Sequence, residues 1–117
     1  MKTIRDVMRP APIHTRPGEG LHQVLELLIQ HGISGLPVVD EAGSLVGAIS
    51  EKDLLKIFYE DEARTVDSVM TRDPVSISVD AELVEVVDCL MANDFRRVFI
   101  HEGEKLVGLV SLSLIHI

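Results

Sequence analysis

The 117-residue sequence predicts an α+β fold made of two β-α-β-β-α halves related by a pseudo-twofold axis. The first observation behind this is an internal duplication. Val7-Met8 returns as Val69-Met70, and the helix-spaced set Leu21, Val24, Leu25, Leu28 and Ile29 returns as Leu83, Val86, Val87, Leu90 and Met91, at an offset of 62. Leu45-Val46-Gly47 returns as Leu106-Val107-Gly108 at 61, so the second copy has lost one residue at a turn. A period this long marks a duplicated small domain and not a solenoid. The second observation is that each copy passes from helical to strand patterning in the same order. The third is size. A half of about 60 residues buries only roughly 60% of its unfolded surface, so the halves are expected to share a core. The copies divide at residues 1–62 and 63–117.

In the first copy, residues 3–8 are a lead-in with little apolar periodicity, and Pro10 and Pro12 break any helix there. Ile13-His14-Thr15 is a short strand, and residues 16–20 carry Pro and Gly turn signals. Residues 21–31 have the spacing of an amphipathic helix, stopped by Gly32. Strands at 36–39 and 45–50 flank the acidic, Gly-containing turn 40–44 as a hairpin. A second helix over 51–59 presents Leu54, Leu55 and Phe58, and 60–64 is a polar link. The second copy repeats the plan: a short helix or turn at 65–70, a strand at 75–78 and a helix at 83–93. Asp80 stands near the start of that helix, where an anion suits the helix dipole. A hairpin of 98–101 and 106–111 follows, and 112–117 is only the stub of a final helix. Each copy makes a three-stranded sheet with its helices on one face. The two copies pack across the pseudo-twofold axis, with a related pocket at each end of the cleft.

Hydrophobic residues make up 46% of the chain and aromatics 3%, so the core is Val, Leu and Ile. A net charge of −8 without a Lys/Arg run argues against nucleic acid as a partner. No apolar run approaches the ~20 residues of a membrane span. With no secretory leader pattern and a single cysteine, Cys89, a reducing cytoplasm is the simplest setting. None of the five histidines pairs at zinc-motif spacing, so no metal site is expected. No set of residues forms a catalytic constellation, and the chain is not read as an enzyme.

The openings "VMRPAPIHTRPGEGL" and "VMTRDPVSISVDAEL", with "HGISGLPVVDEAGSLVGAISEKDLL", resemble a tandem pair of cystathionine β-synthase (CBS) domains. The likeness covers essentially the whole chain and occurs twice in register. It implies α/β-type CBS repeats forming one CBS pair, and a regulatory rather than catalytic module. Such modules commonly bind adenosyl ligands between two repeats and often assemble as discs from two pairs. AMP, ADP or ATP is the implied ligand, with S-adenosylmethionine or NADH as further members of the set.

The family's ligand signature is Gly, two apolar residues, Ser or Thr, two variable residues, then Asp. The first copy has it intact as Gly47-Ala48-Ile49-Ser50-Glu51-Lys52-Asp53. A hydroxyl and backbone N–H groups where a strand gives way to a helix suit a phosphate. Lys52 adds a cation, and Asp53 accepts two hydrogen bonds from a ribose diol. The same residues also read as a plain helix start, with Ser50 its N-cap and Asp53 a first-turn acid. The resemblance completes this principal site of Ala48, Ser50, Lys52 and Asp53 with Met70, Val75, Phe95 and Arg96. Phe95 either stacks on the base or packs in the core. The second copy reads Gly108-Leu109-Val110-Ser111-Leu112-Ser113-Leu114, with Leu114 where Asp is expected. An apolar group cannot hold a ribose diol, so the degenerate site of Ile13, Ile33, Ser34, Arg97, Ser111 and Leu114 is expected to be weak, empty or altered. The function expected is that of a stand-alone, energy-sensing CBS pair and homodimer acting on a regulated protein. The alternative is a ligand-free dimerisation or interaction scaffold with degenerate sites.

Overall fold

The computed structural model describes residues 2–10, 13–55, 65–92 and 97–111. The rear of the predicted second helix, the polar link, Phe95, Arg96 and the final stub with Leu114 lie outside the described residues. The α+β class expected above is the one observed, and the chain forms two compact units. One is Ile13–Pro74; the other joins Met1–Pro12 to Val75–Ile117. The units are thus cut differently from the sequence copies, because each copy's lead-in belongs to the unit built on the other copy.

In the Ile13–Pro74 unit, α2 (Leu21–His31) starts at Gly20, whose N–H is accepted by Gln23 Oε1 at 3.2 Å. It ends at Gly32, whose φ of 63° is a left-handed conformation glycine adopts without strain. Ile33 N–H closing back on the Leu28 carbonyl completes a Schellman-type stop. Strands β2 (Gly35–Val39) and β3 (Leu45–Ser50) pair antiparallel, and α3 (Glu51–Leu55) leaves directly from β3. The turn between them is closed by Asp40 Oδ1, which accepts the Ala42 and Ser44 N–H groups at 2.9 Å each. The one-turn helix α4 (Val66–Val69) and the two-residue strand β4 (Thr71–Arg72) complete the unit, β4 lying along the free edge of β3. Leu21, Val24, Leu28, Leu36, Val38, Ile49, Leu54 and Val66 form its core.

The second unit repeats this plan. A one-turn helix α1 (Ile4–Val7) leads into strand β1 (Arg9–Pro10). Strand β5 (Ser76–Ser78), helix α5 (Leu83–Ala92), and strands β6 (Arg97–Glu102) and β7 (Lys105–Ser111) follow. The sheet order is β1-β7-β6-β5, with β5 parallel to β6 and the other pairs antiparallel. Ile4, Val79, Val86, Leu90, Val98, Ile100 and Val110 form the core. Ile4 and Val66 are both 0% exposed and stand at equivalent positions of the duplication. The lost residue is found in the hairpin turn: residues 40–44 separate Val39 from Leu45, whereas 102–105 separate His101 from Leu106.

Three expectations are corrected. The lead-in 3–8, where the prolines were expected to break any helix, forms one helical turn at Ile4–Val7. Thr3 Oγ1 accepts the Asp6 N–H while Asp6 Oδ2 accepts the Thr3 N–H at 2.8 Å, a capping box that starts α1. The predicted strand at Ile13-His14-Thr15 is reduced to Thr15, whose N–H and carbonyl bond Pro37 and Val39. The three-stranded sheets gain short edge strands from the lead-ins, and Pro10 is tolerated in one because an edge strand does not need every N–H.

Gly47 and Gly108 explain why the lead-ins dock where they do. A Cβ at Gly47 would stand 2.6 Å from Met70 Sδ and 2.9 Å from the Thr71 carbonyl oxygen. At Gly108 it would stand 2.5 Å from Met8 Sδ. Each glycine therefore supplies the space that a lead-in methionine fills.

Candidate functional site

The motif Gly47-Ala48-Ile49-Ser50-Glu51-Lys52-Asp53 runs from β3 into the first turn of α3. Strand alternation buries Ile49 and leaves Ala48 and Ser50 half-buried on the other face. Asp53 then turns back on the strand end. Its Oδ2 accepts the Ser50 N–H at 2.9 Å and the Ser50 hydroxyl at 3.2 Å. The next amide, Glu51 N–H, is accepted by the Ser34 carbonyl at 2.9 Å. Lys52 is exposed on the same turn.

Two consequences follow for the chemistry. The Ser50 and Glu51 amides are both engaged, so the strand end does not offer them to a phosphate as the sequence reading supposed. The cation of Lys52 remains for that role. Asp53 is held by Ser50, yet both bonds fall on Oδ2, and an ionised carboxylate has about four lone-pair directions. The helix-start reading and the ribose reading are therefore compatible: the bonds that cap α3 also hold the carboxylate still.

Of the principal residues, Ala48, Ser50, Lys52, Asp53 and Met70 belong to the Ile13–Pro74 unit, with Met70 half-buried against Gly47. Val75, exposed, belongs to the other unit, and Phe95 and Arg96 lie outside the described residues. Of the degenerate set, Ile13 is exposed, Ile33 packs on the core of its own unit, and Leu114 lies outside the described residues. The structure brings Ser34 to the start of α3 beside Ser50, although the sequence reading placed it in the second pocket. The signal was the hairpin, in which Gly35 pairs with Ser50. The equivalent pair in the other unit is Arg97 with Ser111. Arg97 is half-buried, and that burial lowers its pKa below the ordinary guanidinium value without discharging it at neutral pH.

A separate concavity of about 310 Å³ is framed by Arg16, Glu19, Gln23 and Glu26, and none of the predicted site residues lines it. Among the described residues no three His, Cys, Asp or Glu side chains gather to hold a metal ion. Among them, too, no helix is long and apolar enough to cross a membrane.

Both units follow one plan, a β-hairpin with a lead-in docked beside a Val-Gly strand motif. The CBS domain model matches residues 4–60 and 66–115, and the chain belongs to the CBS domain family as a tandem pair. Inosine-5'-monophosphate dehydrogenase of Methanocaldococcus jannaschii is 33% identical over 113 residues, covering 96% of this chain and 22% of that protein. The chain spans 22% to 39% of the length of the first curated relatives it matches. Among solved structures, Arabidopsis thaliana CBSX2 in complex with AMP superposes with a TM-score of 0.88 at 27% identity, over 99% of this chain and 94% of that one. The CBS domain pair of MJ0100, in complex with 5'-methylthioadenosine and S-adenosyl-L-methionine, gives 0.84 at 26% identity, with the same coverage of both chains.

Proposed function

We propose that this chain is a ligand-sensing regulatory module that binds an adenosyl nucleotide of the AMP, ADP or ATP class. The observation that carries the reading is the Ser50–Asp53 turn, whose carboxylate is fixed by two bonds to Oδ2 at a half-buried strand end. Asp53 receives the ribose diol, Lys52 faces the phosphates, and Ala48 and Met70 line the apolar part of the site. Val75, Phe95 and Arg96 of the second copy complete it in this reading. Solved relatives carrying AMP, 5'-methylthioadenosine and S-adenosylmethionine support the adenosyl class. The second site, with Leu114 in place of the acid, binds weakly or not at all. The ligand acts by differential affinity: it favours one conformation of the module, and a regulated protein reads that conformation. The compartment that fits is a reducing cytoplasm.

The test is thermal stability with AMP. A ligand that binds only the native state raises stability by about 2.7 kcal/mol at one hundred times its Kd. The wild type is expected to gain Tm with AMP, and Asp53→Asn, which keeps an oxygen for the Ser50 N–H, is expected to gain clearly less at the same AMP concentration. An equal gain in both proteins removes Asp53 from the site.

A second reading, a dimerisation scaffold, is favoured by Ile29 and Met91, which are 73% and 76% exposed at equivalent positions of the two copies. A single exposed apolar group is ordinary, and the reading rests on its recurrence at the same place in both copies. A homodimer that Ile29→Glu converts to monomer, with no nucleotide effect on either, supports this reading over the first.

A further inference from the structure

We infer that Met8 and Met70 are paired oxidation sites, and that a peroxide converting either thioether to its sulfoxide releases the lead-in it holds. The geometry is duplicated. Met8 Sδ and Met70 Sδ occupy the space left by Gly108 and Gly47, at 2.5 and 2.6 Å from where a Cβ would stand. Both methionines are half-buried, so peroxide can reach them. Beyond the methionine's own atoms and the glycine's own stretch of chain, the heavy atom nearest each Cβ position is a carbonyl oxygen, Arg9 O at 3.3 Å and Thr71 O at 2.9 Å. A sulfoxide oxygen turned toward that carbonyl meets another acceptor.

What the methionines hold is weak by itself. Helices α1 and α4 are four residues each, and strands β1 and β4 two each. One helical turn does not persist without tertiary packing. Each lead-in is held by a fully buried aliphatic side chain, Ile4 or Val66, by half-buried Val7 or Val69 and its methionine on the same core, and by a two-residue strand pairing. Polarising the methionine weakens the apolar part of that hold.

The step balances simply. The thioether sulfur attacks one peroxide oxygen, the O–O bond breaks and the S–O bond forms. Sulfur is oxidised by two electrons, and hydrogen peroxide is reduced to water. Met91, 76% exposed on α5, is the internal control.

The experiment treats the full chain with graded hydrogen peroxide, maps sulfoxides by peptide mass, and follows amide hydrogen exchange. Met91 is expected to oxidise first, with exchange at 4–8 and 66–70 unchanged. Conversion of Met8 or Met70 is expected to accelerate exchange in its own segment about tenfold, at amides such as Met8 N–H and Met70 N–H, which bond the Ile4 and Val66 carbonyls. Methionine sulfoxide reductases should restore the slow exchange of the wild type. Met8→Leu and Met70→Leu should make the matching segment indifferent to peroxide. The inference is overturned if full sulfoxidation at both positions leaves exchange unchanged. It is equally overturned if both remain thioethers after Met91 is fully converted, or if the leucine variants respond to peroxide as the wild type does.

Discussion

Replacing Gly47 by alanine is expected to destabilise the Ile13–Pro74 unit, and the structure sets the size of the effect. The new Cβ meets Met70 Sδ at 2.6 Å and the Thr71 carbonyl oxygen at 2.9 Å, against the 3.4–4 Å of ordinary contact. The sulfur can swing away. The carbonyl cannot, because Thr71 sits on β4 and pairs with Ala48 of β3. Overpacking of this kind costs about 1–3 kcal/mol. Alanine recovers about 0.5–1 kcal/mol of the backbone entropy that glycine loses in a strand. The net loss is then roughly 1 kcal/mol, a fall in Tm of about 3–6 °C for a chain of this size. Gly108→Ala should cost less, since its closest obstacle is the flexible Met8 side chain and the Arg9 carbonyl is at 3.3 Å. Urea unfolding followed by circular dichroism measures both. In double variants, Met8→Ala should restore most of the Gly108→Ala loss, whereas Met70→Ala should restore only part of the Gly47→Ala loss. A Gly47→Ala protein as stable as the wild type, or a costlier Gly108→Ala, refutes the reasoning.

Other predictions rest on the lead-in of the second unit. Ile4→Ala empties a fully buried position and should cost about 2–5 kcal/mol in the same unfolding assay. The Thr3 backbone N–H and then its hydroxyl hold the Asp6 carboxyl below its ordinary value. A depressed native pKa gives stability that is present above the unfolded value near 3.8 and lost as pH falls through the native one. Thr3→Ala should therefore lower Tm at pH 7 and flatten the fall in Tm below pH 4. The Arg5–Glu102 bridge, 2.6 Å long with both side chains about half exposed, should contribute no more than ~0.2–1 kcal/mol. Arg5→Ala should cost correspondingly little, and 1 M salt should erase the difference.

The parts of the fold legible in the sequence were those with a period and a stop signal. Leu21–His31 is found as predicted, because its apolar spacing and Gly32 act within one stretch of chain. The hairpins, and even the residue lost from the second turn, were readable from the two offsets. The edge strands Arg9–Pro10 and Thr71–Arg72 were not, because two residues carry no period and nothing local names the strand they pair with. Ile4 lies in a lead-in with little apolar periodicity, so nothing local marked it as core. Its counterpart Val66, apolar at the same place in the second copy, was the available clue. At the site, Ser50 and Asp53 were singled out by the ligand signature that the CBS resemblance implies, while the residues alone also read as a plain helix start. Their engagement of the Ser50 amide, and the arrival of the Ser34 carbonyl at Glu51, depend on hairpin register and helix geometry that a motif does not encode.

The central claim is that Asp53 makes the first copy a nucleotide site, and calorimetric titration tests it most directly. AMP, ATP, S-adenosylmethionine and NADH are titrated into the wild type, Asp53→Ala and Asp53→Asn. The account predicts saturable binding of at least one adenosyl ligand to the wild type, weakened about 10- to 100-fold in both variants by loss of charge-assisted hydrogen bonds. Folded wild-type protein that gives no binding heat with any of the four, or binding of equal affinity in all three proteins, contradicts it.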